Sequence, residues 1–207
     1  MRANLHLYRP TGLEELLLVL RRDLGGWPPR LPEQPIFYPV LNQAYAAQIA
    51  RDWNTRSGTF AGYVTAFELD DEHASRFERK VVGGRQHEEL WVPAEDLEDF
   101  NRHIVGPIRV VDAFFGEEFV GLIPETGALR GQGARDQLHT FARLYAEIGP
   151  LRAEVSANRE AIFLHYPFWQ KLPEPPGLVA TRAEVLSAVR STWSEAFPAL
   201  PLPETIT

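Results

Sequence analysis

The sequence predicts an α+β protein, and three observations carry that prediction. Residues 63–69 and 108–115 are rich in β-branched and aromatic side chains and have the length of strands. Apolar stripes at helical spacing lie outside them: Leu13, Leu16, Leu17, Leu20 and Leu24 near the start, and Val185, Val189, Trp193 and Phe197 near the end. The third is His87-Glu88-Glu89-Leu90-Trp91-Val92-Pro93, where a carboxylate pair leads into a short apolar strand that Pro93 stops. Side chains alternate along a strand, so His87, Glu89 and Trp91 share one face, and Glu88, Leu90 and Val92 the other.

The remaining elements follow in order. Residues 5–10 read as a first strand ended by Pro10. Thr11 and Glu14 have the spacing of a capping box, so Thr11 is expected to open the first helix, and Gly25-Gly26 to end it. Pro28, Pro29, Pro32 and Pro35 make a stiff loop. Ile36-Phe37-Tyr38 is a second strand, and Asn42 caps a second helix that buries Ala46, Ile49, Ala50 and Trp53. Residues 54–62 read as a loop, 70–79 as a turn or short helix, and 80–82 as a short strand. Leu97, Phe100 and Ile104 mark one face of a helix over 94–104.

Gly116 marks a domain edge. Beyond it, the glycines of 121–133 indicate a loop or linker. A helix over 134–148 is expected to bury Leu138, Phe141, Tyr145 and Ile148. Residues 152–157 and 161–166 read as a hairpin turning at Asn158-Arg159. A second capping box, Thr181 with Glu184, opens a final helix over 181–196. The expected layout is a domain over 1–116 and an α+β extension over 117–207. The Trp and Pro content of the extension points to a protein partner, because exposed aromatics anchor interfaces.

Composition narrows the function. The 207 residues are 44% hydrophobic and 24% charged, ordinary for a soluble globular protein. No apolar run approaches the roughly 18 residues of a membrane span. The N-terminus lacks a signal-peptide pattern, so a cytoplasmic location is the expectation. The absence of cysteine excludes disulfides, thiolate catalysis and thiolate metal sites. A net charge of −7 gives no global basic footprint, so neither nucleic acid nor membrane is an expected partner. There is no Walker loop, no GxGxxG after a strand, no HExxH and no Gly-x-Ser-x-Gly elbow. The six histidines, His6, His73, His87, His103, His139 and His165, are scattered without zinc-ligand spacing, so no metal is expected.

One constellation survives. Leu7-Tyr8-Arg9, then Ile36-Phe37-Tyr38 feeding a helix with Ala46, Ala47 and Ala50, then Glu89-Leu90-Trp91-Val92-Pro93 occur in this order. Together residues 5–115 resemble the ADP-ribosyltransferase-like fold, a split mixed sheet, and in particular a related bacterial group sometimes labelled ADP-ribosylation/crystallin J1. That label usually belongs to helical, metal-dependent ADP-ribosyl hydrolases, and the sequence carries no Asp cluster of that kind.

The resemblance implies NAD as substrate, with transfer or hydrolysis of ADP-ribose. Glu89 would be the catalytic carboxylate that stabilises the oxocarbenium-like centre. Arg9 would hold the diphosphate or a ribose oxygen. Tyr8 or Tyr38 would stack on nicotinamide, with His87 beside them. Two departures from the family pattern stand out. Phe37-Tyr38-Pro39 replaces the Ser-Thr-Ser triplet, and His87 stands where arginine- or asparagine-directed transferases place Glu or Gln. Plainer roles remain open: Arg9 as an exposed strand end, Tyr38 as a core residue, and the whole domain as a non-catalytic protein-interaction module.

Overall fold

The computed structural model describes residues 3–84, 87–145, 147–174 and 180–203. The chain divides into two compact units, Met1–Gly116 and Glu117–Thr205.

The first unit is α+β. Its elements are β1 (Asn4–Thr11), α1 (Leu13–Arg21), β2 (Ile36–Phe37), α2 (Gln43–Ile49) running into a π-helical turn (Ala50–Asn54), β3 (Ala61–Asp70), α3 (Asp71–Ala74), β4 (Glu78–Val81), β5 (Glu88–Pro93), α4 (Leu97–Arg102) and β6 (Ile104–Phe115). They build two three-stranded sheets, β1-β3-β6 and β2-β5-β4. Every one of these pairings is antiparallel, a correction to the mixed sheet that the resemblance implies. Val40 splices the two sheets. Its N–H donates to Tyr8 O at 2.7 Å and its C=O accepts from Tyr8 N at 2.8 Å, while it also bridges to Glu89. Leu41 N donates to Glu88 O, and Leu90 N to Pro39 O, so residues 39–41 run as a seam between β1 and β5.

Several local signals gave way to this pairing. Thr11 does not cap α1: it stays in the β1 ladder opposite Tyr63, and Gly12 takes the cap position. The strand runs through Pro10 because Tyr8, in the same phase, points its N–H outward to Val40, so Pro10's missing donor falls on the outer edge. The glycine pair does not stop α1 either. The chain leaves the helix earlier, through Asp23 (φ 52°) and Leu24 (φ 59°), and Leu24 O accepts from Ile108 N at 2.8 Å. Trp53, expected in the core, is 64% exposed, because the π-helical turn rotates the face that α2 had established. Ile104 begins β6 rather than ending the helix, which stops at Arg102.

The core under β1 and β3 is aromatic. Trp27 packs on Phe37 and Phe67, and Phe100 on Phe37, Phe67 and Phe77. Asn101 holds Trp27 by its backbone, accepting from N at 2.8 Å and donating to O at 2.9 Å. On the other face of the sheet, Val40, Ala46, Ala50 and Val64 form a second cluster on which Tyr8 and Tyr45 pack.

The second unit corrects the expected α+β extension, since its described elements are all helical: α5 (Ala134–Leu144), α6 (Ile148–Ala157), α7 (Arg159–Lys171) and α8 (Arg182–Ala196). The predicted hairpin at 152–166 is two helices with Asn158 at their corner. Ala161 to Trp169 are all buried, because α7 packs against α5, α6 and α8. A helix apolar on every side has no period to read and mimics a buried strand. Pro167 lies inside α7, where its ring removes one helical hydrogen bond. The capping box of Thr181 and Glu184 is present, and Val185, Val189 and Trp193 are buried. Trp169 and Trp193 are fully buried, so these two rings build this unit's core rather than an exposed anchor. Leu138 and Phe141 are buried in α5; the expected burial of Ile148 falls on a side chain outside the described residues. Among the described residues no helix is long and apolar enough to cross a membrane.

Candidate functional site

The site is built on β5 where it meets the seam. Leu90 and Val92 point into the core, so Glu89 and Trp91 face the other way, half-buried. The β4–β5 register places Lys80 opposite Glu89 and Glu78 opposite Trp91. Helix α2, capped by Asn42, brings Tyr45 to the same face.

Each oxygen of the Glu89 carboxylate has a donor. Tyr45 Oη donates to Oε1 at 3.2 Å, and Trp91 Nε1 donates to Oε2 at 3.3 Å. Burial and the neighbouring Glu89 charge push the Tyr45 phenol up from its ordinary range, so it remains a donor. Rings wall the carboxylate. His87 stacks on Tyr45 with centroids 4.1 Å apart and planes 13° apart, and Tyr38 meets Trp91 edge-on at 5.1 Å. The Lys80 ammonium lies 3.6 Å from the Trp91 ring centroid and 3.2 Å from Glu78. A carboxylate fixed by the edges of two rings favours a cationic group, or a centre that becomes positive during reaction.

Of the residues singled out in the sequence, the structure gathers Glu89, His87 and Tyr38 here. Tyr8 reaches the seam by its backbone, but its ring packs on the Val40 cluster. Arg9 alternates to the opposite face of β1 and is 9% exposed. Its guanidinium is committed: Nη2 to Glu15 at 2.8 Å, Nη1 to Tyr38 O at 3.2 Å, and its Cζ 4.6 Å from the Phe37 centroid. Tyr45 and Lys80 were not legible as site residues. Tyr45 lies three positions after its helix cap, and Lys80 is placed only by strand register.

A cavity of about 320 Å³ opens elsewhere in this unit, at the start of α1, lined in part by Gly12, Glu14, Glu15 and Asn54. Its two carboxylates make it a poor seat for a diphosphate. The fold also brings together His73, Asp99 and His103, which the sequence spacing did not connect. No family profile, curated protein or solved structure matches this chain.

Proposed function

We propose that the first unit is an ADP-ribosyltransferase-like domain that takes NAD at Glu89 and cleaves its nicotinamide–ribose bond, transferring ADP-ribose or releasing it to water. The observation that carries this reading is the Glu89 carboxylate, held by Tyr45 Oη on one oxygen and Trp91 Nε1 on the other. The order of strands also supports it: the three motif-bearing strands meet at one seam, β1 and β5 through Val40 and β2 beside β5. As the bond breaks, positive charge grows on the ribose, and a fixed carboxylate lowers the energy of that state more than of bound NAD. Tyr38 and the Tyr45–His87 stack supply the rings for nicotinamide, since Lys80 already lies over Trp91. Arg9 is left out of this assignment, because it lies on the opposite face of β1 from Tyr8 with its guanidinium bonded to Glu15 and Tyr38 O.

The test is nicotinamide release by wild type, Glu89→Gln and Glu88→Gln, with calorimetric NAD binding alongside. Loss of one such electrostatic group costs about a hundred- to a thousandfold in turnover, so Glu89→Gln should fall by that factor. Glu88→Gln, on the other strand face, should be nearly silent. Equal loss in both variants would sink the assignment. Arg9's commitment to Glu15, together with the missing Ser-Thr-Ser triplet, favours a second reading: a binding module on the same fold that acts on another protein. NAD binding without turnover in the wild type would select it.

A further inference from the structure

We propose that His73, Asp99 and His103 form a binding site for one divalent transition-metal ion of the zinc class, separate from the Glu89 site. One nitrogen of each imidazole and one carboxylate oxygen of Asp99 all lie within 4.8 Å of one another. His73 Nε2 lies 4.0 Å from Asp99 Oδ2, and His103 Nδ1 lies 4.0 Å from Asp99 Oδ1. Three donors on one ion, at bonds of about 2.0–2.2 Å in tetrahedral geometry, stand about 3.3 Å from each other. The contraction required is therefore less than the reach of one side-chain rotation.

One observation points into this site, and a second fixes the tautomer of His103. His73 is 5% exposed, and its Nε2 is buried with no hydrogen-bond partner. Such an orphan atom is costly to keep and is normally answered by something. His103 donates from Nδ1 to Asp99 O at 2.8 Å, which leaves the lone pair on Nε2. Two imidazoles and one carboxylate suit zinc, cobalt, nickel or copper, and not calcium or magnesium, which take oxygen donors. Three protein ligands leave a fourth position for water.

The local arrangement sets two conditions on binding. The His73 and His103 rings are stacked, centroids 3.7 Å apart and planes 4° apart. An ion lies in the plane of each ring it binds, so its arrival turns one of them. That one is His103, whose side chain is 40% exposed, while His73 stays in its packing. Arg76 Nη1 occupies the same corner, 2.9 Å from Asp99 Oδ2 and 3.2 Å from His73 Nδ1. By donating to Nδ1 it places the His73 proton on Nε2, the atom the ion needs. The ion and Arg76 therefore compete, and metal binding moves the His73 proton to Nδ1 and swings the exposed guanidinium away. The ion would then tie α3 to α4.

The experiment is calorimetric titration of the tag-free protein with zinc, repeated with cobalt to read tetrahedral absorption bands. Expected is one ion per chain, weakened at least about tenfold in His103→Ala and in Asp99→Asn. Both side chains are partly exposed, so these variants keep the fold. Arg76→Gln removes the competitor, offers a carbonyl to Nδ1–H, and should tighten binding. No saturable binding at about 100 μM zinc, a Kd weaker than about 5.5 kcal/mol of binding free energy, overturns the proposal. So does affinity that is unchanged in both His103→Ala and Asp99→Asn.

Discussion

Arg9 Nη2 lies 2.8 Å from Glu15 Oε1, and Arg30 Nη1 reaches that same oxygen at 3.2 Å. One carboxylate thus answers two guanidiniums beside the ring of Phe37. Burial, and the Arg9 charge after it, hold the Arg30 guanidinium below its ordinary range, while Glu15 opposes that shift. Glu15→Gln leaves two part-buried cations near each other with no counter-charge and should cost about 1–3 kcal/mol in urea unfolding. Arg9→Met leaves Glu15 paired with Arg30 and should cost clearly less. Its NAD affinity should match the wild type, because the guanidinium does not face the Glu89 site.

Tyr45→Phe removes the donor to Glu89 Oε1 while keeping the ring that stacks on His87. Without that donor the carboxylate is no longer held in one position, and misplacing a catalytic group is costly, so nicotinamide release should fall at least about tenfold. Water replaces the donor at this half-buried site. Thermal stability should barely move. A large fall in melting temperature with unchanged turnover would give Tyr45 a packing role only.

Gly62 sits in β3 where the turn after α2 crosses it. A Cβ built there would lie 2.1 Å from Ala50 O, a backbone atom that cannot step aside. Gly62→Ala should therefore push the turn off the sheet and cost about 3 kcal/mol, the upper end of overpacking. Denaturant unfolding of the variant checks it.

His165 is fully buried in α7. Its Nε2 accepts from Leu122 N at 2.8 Å, so Nδ1 carries the proton and donates to Gln137 Oε1 at 2.8 Å. Burial pushes its pKa down to about 3, against 6.5 in the unfolded chain. Between those values the unfolded chain binds the extra proton, so stability falls as pH falls. The loss is about 1.4 kcal/mol per pH unit below 6.5, or about 2 kcal/mol by pH 5. The slope fades above pH 6.5 and is almost gone by about pH 7.5. Urea unfolding from pH 7.5 to 5 should show the decline, and His165→Gln, which takes up no proton, should lose that part of it.

By itself the sequence determined the elements whose signals are local and consistent. β3 is rich in β-branched and aromatic residues, Asn42 caps α2, and the Thr181–Glu184 box opens α8, because neighbours a few residues apart carry those interactions. The alternation of β5 was equally legible, and with it the separation of Glu88 from Glu89. Tertiary structure decided wherever a distant partner outweighed a local preference. Thr11 had the spacing of a cap, but pairing with Tyr63 kept it in a strand. The run 161–166 resembled a strand, and only helices packed on every side of it explain why it is one of them. The donors to Glu89 come from a helix 44 residues away and from its own strand. His73 and His103 meet because α3 and the end of α4 flank the same edge, with Asp70 N bonded to His103 O. Spacing along a chain carries no information about contacts that strand pairing and core packing create.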